Sequence, residues 1–201
     1  MRLLFAVPML LFVLASAGHA EDAVTRTHAL VEFSTPKHGA GFARFDYVDP
    51  AAPKGGAVVM AEPGSFDSLN PIILRGQVPR SLDIVSETLF TGSGDELDVV
   101  YGLLAESAEY PADKTWVVFT LRPEARFHDG HPVTAADFVF GWKAIEQHGR
   151  PFLKSFLEDI AAVEALDEHR LKVSFKGSGE MKPLIRAAGI LAPVPEHWWT
   201  A

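Results

Sequence analysis

WVVFTLRPEARFHDGHPVTAAD, residues 116–137, carries a strand, a turn and the start of a helix in one continuous stretch. Residues 116–121 are aromatic and branched side chains, which fit a pleated surface, and they lie between the breakers Asp113-Lys114 and Arg122-Pro123. Both faces of this strand are apolar, so it is expected to be covered on both sides at the centre of a layered α/β domain. Pro123 turns the chain, and Asp129-Gly130 is a turn dipeptide that relieves a positive φ. Thr134 can cap a helix, Asp137 stands three residues on beside its positive end, and Phe138, Trp142 and Ile145 form one apolar stripe. Gly149 ends it.

Working downstream, residues 152–165 read either as a helix or as a helix running into a strand. Residues 170–176 alternate polar and apolar with period two, a strand with one wet face. A helix is expected over 180–188, followed by an apolar, proline-punctuated stretch over 190–199. Upstream, residues 97–104 include a short extended piece and 91–95 make a turn. Leu82, Val85 and Leu89 at helical spacing behind Pro79 predict a helix over 79–90. A loop over 63–77 separates it from residues 57–61, a short apolar run between turns that reads as a buried strand. Residues 21–56, rich in His, Pro, Gly and Asp, read as an extended arm closed by Pro50, Pro53 and Gly55-Gly56. No internal repeat or heptad pattern is present. The order of elements indicates α/β.

The amino terminus has Arg2, an apolar run over 3–14, and small residues at Ala15-Ser16-Ala17 and Gly18-His19-Ala20. That three-part pattern is expected to be a signal peptide over 1–20, cleaved after Ala17 or, preferably, Ala20. Its apolar run is too short for a bilayer core, and no later segment reaches the length of a transmembrane helix, so a soluble exported chain is expected. The sequence has no cysteine, which excludes a disulfide, a thiolate metal site, a cysteine nucleophile and lipid attachment at a processed cysteine. Stability must then come from an ordinary core, which 48% hydrophobic residues permit. A net charge of −8 argues against nucleic acid or an anionic membrane as the main partner.

Candidate chemistry is sparse. His128-Asp129-Gly130-His131 could bind metal, but regular sites place ligands two to four apart on one face and need further donors from elsewhere, so a turn is expected instead. Gly92-Ser93-Gly94 and Gly177-Ser178-Gly179 lack the Gly-x-Ser-x-Gly frame of a hydrolase nucleophile. Lys54-Gly55-Gly56 is not a phosphate-binding loop. The carboxylates Glu106, Glu109, Asp113, Glu158, Asp159 and Glu164 read as solvated surface, and Trp116 and Trp142 read as core. No catalytic residue, metal or cofactor is expected.

Several motifs exceed what generic folding requires: residues 64–71 (GSFDSLNP), 87–90 (ETLF), 103–107 (LLAES) and above all 116–137. Together they resemble the signature of the bacterial extracellular solute-binding proteins of family 5. Residues 42–56, FARFDYVDPAAPKGG, are similar to the branch that binds oligopeptides and the peptide-nucleotide microcin C. The resemblance continues through residues 191–198. It implies a two-lobed periplasmic binding protein, class II-like and of peptide-binding type, of roughly 500–600 residues, well beyond a single domain.

On that resemblance, residues 57–201 are expected to be an incomplete first lobe, a mixed sheet with flanking helices, with the second lobe absent. The implied function is capture of oligopeptides, with peptide-nucleotide conjugates a further candidate, and delivery to an inner-membrane ABC permease with its ATPase subunits. Contact with the membrane complex would be peripheral, and no nucleic acid partner is implied. The resemblance also makes Ser65, Phe66, Asp67, Ser68 and Asn70 candidate ligand-binding positions lining the cleft. The competing reading of Asp67 and Asn70 is that they shape a turn before Pro71. Competing functions are a secreted hydrolase using His128 or a serine, and a truncated fragment without transport function.

Overall fold

A computed structural model describes residues 23–201; the expected signal peptide lies outside the described residues. The strands are β1 (Val24–Thr27), β2 (Ala29–Val31), β3 (Phe90–Gly92), β4 (Val99–Gly102), β5 (Ala105–Pro111), β6 (Trp116–Leu121), β7 (Ile160–Ala165) and β8 (Arg170–Phe175). The helices are α1 (Ala135–His148), α2 (Pro151–Phe156), α3 (Lys182–Ile190) and α4 (Glu196–Trp199). Five strands form one sheet in the order β1-β5-β6-β8-β7, and three form a second in the order β2-β4-β3.

β6 occupies the centre of the larger sheet, as its two apolar faces require. Val117, Phe119 and Leu121 are buried on one side and Val118 on the other. In register it pairs Val117 with Val173 and Phe119 with Leu171 of β8, and Phe119 with Ala108 of β5. Lys172 from β8 places its ammonium 5.8 Å from the Trp116 ring, so Trp116 sits at the sheet surface half-buried. The α/β layering is as expected, but every pairing is antiparallel where a mixed sheet was expected. Connection length accounts for three of these pairings: β3–β4, β5–β6 and β7–β8 are joined by links too short for the crossover that parallel strands need.

α1 begins where Thr134 predicts. Asp137 Oδ2 accepts from both the backbone N–H and the hydroxyl of Thr134 at 2.8 Å, closing the helix start. Phe138 is fully buried against the sheet, with Trp142 and Ile145 at the margin of the same core. The segment 152–165 is a helix running into a strand, α2 then β7. α3 packs over the smaller sheet.

Three expectations change. Residues 57–61 form no strand: they pair with no other strand among the described residues, and Val58 and Val59 are 86% and 97% exposed. An apolar run becomes a strand only where an edge accepts its backbone, and among the described residues none does. The helix expected over 79–90 shrinks to a single 3-10 segment, Arg80–Val85, because Ser86 turns extended and Leu89 and Phe90 enter the core with β3. The stretch 21–56 supplies β1 and β2 to the two sheets. Beyond them His38, Phe42, Phe45 and Tyr101 form an aromatic cluster, with His38 stacked 4.9 Å from Phe42.

Candidate functional site

The loop containing the five candidate residues is a built structure. Asp67 and Ser68 donate their N–H groups to the carbonyl of Gln77 at 3.0 and 3.2 Å, and Asp67 Oδ1 accepts the Gln77 N–H at 2.6 Å. Ser68 Oγ accepts the Asn70 N–H at 3.1 Å; Asn70 Oδ1 accepts those of Ile72 and Ile73 at 3.0 and 3.3 Å. These short polar side chains do what such residues do in turns, substituting for backbone partners. Gly76 is required where the two arms of the loop meet. Its φ is +86°, and a Cβ there would stand 2.6 Å from that of Ser68.

Two further groups fasten the loop, and neither was singled out in the sequence. Arg150, the residue before α2, donates Nε to the Ile73 carbonyl at 2.7 Å and Nη2 to that of Gly76 at 2.9 Å, while its N–H reaches Ile72. Glu62 accepts the N–H groups of Arg80 and Ser81 at the start of the 3-10 segment. The Arg80 backbone bond, followed by Ser81, holds the Glu62 carboxyl below its ordinary range. Arg150 was hidden because an arginine beside a proline has no local signature; its carbonyl targets lie more than seventy residues away.

Between the arms lies a cavity of about 370 Å³ whose lining includes Glu62, Ser65, Phe66, Gln77 and Arg80. The structure thus divides the candidates. Ser65 and Phe66 line this cavity, and Phe66 is 60% exposed. Asp67, Ser68 and Asn70 have side-chain oxygens engaged within the loop.

His128 lies elsewhere, in the expected turn. Gly130 takes φ +89° and donates to the Phe127 carbonyl at 2.9 Å, while the Phe127 N–H reaches His131 at 2.8 Å. His128 lines a second cavity of about 370 Å³ with Ser86 and Glu87. Among the described residues no side-chain hydrogen bond joins the three. Asp129 Oδ2 lies 2.7 Å from Nε2 of His197. That contact, then the His131 N–H on the same carboxylate, holds Asp129 below the usual carboxylate range.

Comparison with known proteins assigns the lineage. Residues 99–200 match the family described as bacterial extracellular solute-binding proteins, family 5 Middle. The probable peptide-binding protein YejA of Agrobacterium fabrum is 32% identical across 98% of the chain and 32% of its own length. The peptidoglycan-binding protein YepA of the same organism is 32% identical across 98% of the chain and 34% of its own length. The chain therefore spans about a third of the length of these curated relatives. Listeria monocytogenes OppA, solved bound to peptide, superposes with a TM-score of 0.51 at 22% identity, over 59% of this chain and 27% of that one, a likeness of fold. Together with the strand, turn and capped helix of residues 116–137, which fall inside the matched segment, these findings place the chain in family 5 of the bacterial extracellular solute-binding proteins.

Proposed function

We propose that this chain contributes part of the first lobe of an exported, periplasmic binding protein that captures oligopeptides and hands them to an inner-membrane ABC permease powered by ATPase subunits. The observation that carries the reading is the 32% identity, over 98% of the chain, to a relative named as a probable peptide-binding protein. Peptide–nucleotide conjugates carry the same peptide main chain and fall within the same chemistry, and the second relative is named as binding peptidoglycan.

The loop supports a ligand-facing role. A peptide main chain is held by backbone hydrogen bonds, which makes recognition tolerant of side chains. The cavity beside Ser65 and Phe66 is lined also by Gly64 and Gln77 and by the charged pair Glu62 and Arg80, and it carries one exposed aromatic ring to cover an apolar side chain. In this reading Ser65 and Phe66 touch ligand, while Asp67, Ser68 and Asn70 hold the loop in shape. A second lobe, supplied by further polypeptide, closes over the ligand because the closed state binds it better.

Calorimetric titration of the full-length protein with a mixture of short peptides tests the assignment. Saturable uptake of peptides is expected, and His128→Ala is expected to leave it unchanged. A protein that takes up no peptide, or a His128→Ala variant that loses turnover of some substrate, would move the assignment to the hydrolase reading or beyond.

A further inference from the structure

Three side chains from two distant parts of the sequence meet at the outer end of the turn before α1. Asp129 Oδ2 lies 2.7 Å from His197 Nε2. The imidazoles of His131 and His197 stack with centroids 4.0 Å apart and 15° between planes. One donor atom from each of the three residues falls within 4.8 Å of the other two. We propose that Asp129, His131 and His197 bind a divalent transition-metal ion of the zinc class, with water completing the coordination.

Two imidazole nitrogens and a carboxylate oxygen form a donor set suited to zinc, nickel or copper. Donors sit roughly 2.0–2.2 Å from such an ion, hence roughly 3.3 Å from one another in a tetrahedron. Asp129 and His197, now 2.7 Å apart in a hydrogen bond, need to part only slightly, the ion taking the place of the shared proton. His131 is exposed, so its ring can rotate the remaining distance without displacing core. The carboxylate is oriented in advance: its Oδ1 accepts the His131 N–H at 3.0 Å, and Phe127 meets the His197 ring edge-on at 5.7 Å. Such outer contacts are what fix ligands around an ion. The other cluster of similar spacing, His38 with Asp95 and Glu96, is unsuited. The Lys37 ammonium sits on Asp95, and the Glu96 oxygens already accept the Lys37 N–H and the Tyr101 hydroxyl.

An ion at this place fastens α4 to the turn that precedes α1, replacing the hydrogen bond between Asp129 and His197 with a coordination clamp that also takes in His131. Zinc chloride titrated into the chelator-treated, full-length protein and followed by calorimetry tests it. One ion per chain, taken up saturably, is expected. His131→Ala is expected to weaken uptake by about ten-fold or more, and His131→Asp, which restores a donor, to recover part of the loss. His128→Ala, in the same turn but outside the cluster, is expected to bind zinc as the wild type does. The His131→Ala protein is expected to melt like wild type in chelator, since its exposed ring supports no core. Absence of saturable uptake, or equal uptake by His131→Ala and wild type, overturns the proposal.

Discussion

At the scale of single residues, the loop over 63–81 depends on positions that allow no substitute. Gly76→Ala would force a left-handed φ on a residue with a Cβ and drive that Cβ into Ser68. The expected cost is ~1–3 kcal/mol of stability, read as a lowered denaturant midpoint, together with weaker peptide binding. Glu62 gives a pH signature. Its carboxyl is held below the ordinary glutamate value first by the Arg80 amide, then by the Ser81 side chain and amide, with the Arg80 charge adding to the same direction. A lowered folded value means the clasp is at full strength above the ordinary glutamate range and is lost as pH falls through the folded value. Hydrogen exchange, corrected for intrinsic rates, is therefore expected to show the Arg80 and Ser81 amides protected at neutral pH and released only in acid. Glu62→Gln should abolish that pH dependence. The sequence offered Ser65, Phe66, Asp67, Ser68 and Asn70 alike as cleft-lining candidates, with a turn as the competing reading for Asp67 and Asn70 only. Arg150 and His197 escaped it because their partners are distant: His197 completes a cluster with Asp129 that lies 68 positions upstream.

At the scale of elements, legibility followed the strength of local signals. β6 and α1 were readable because a run of branched and aromatic residues, a proline turn and a capping residue all agree at neighbouring positions. β5 was not, since its sequence AESAEYP has small and charged residues whose strand state comes from pairing with β1 and β6 on either side. Residues 57–61 failed in the opposite sense, having strand composition without an edge to join. The capped helix should carry measurable energy. Thr134→Ala is expected to cost ~1 kcal/mol through loss of its contact with Asp137. Phe138→Ala should cost ~3–5 kcal/mol by opening a cavity in the main core. Chemical denaturation of the two variants checks both values, and a Phe138→Ala midpoint equal to wild type would mean that α1 does not pack as described.

At the scale of the whole molecule, the chain spans about a third of its curated relatives and exposes Val58, Val59 and Met60 along an unpaired segment beside the candidate loop. In the proposed two-lobed protein these backbone groups find partners in further polypeptide, and the cavity at Ser65 and Phe66 becomes one wall of a cleft. The most direct measurement is hydrogen exchange on the full-length protein with and without a saturating short peptide. Slowed exchange at residues 64–68 and 77–81, with the turn at 128–131 unchanged, is the result this account gives. Protection that spares the loop and gathers instead around His128 and Ser86 would contradict it.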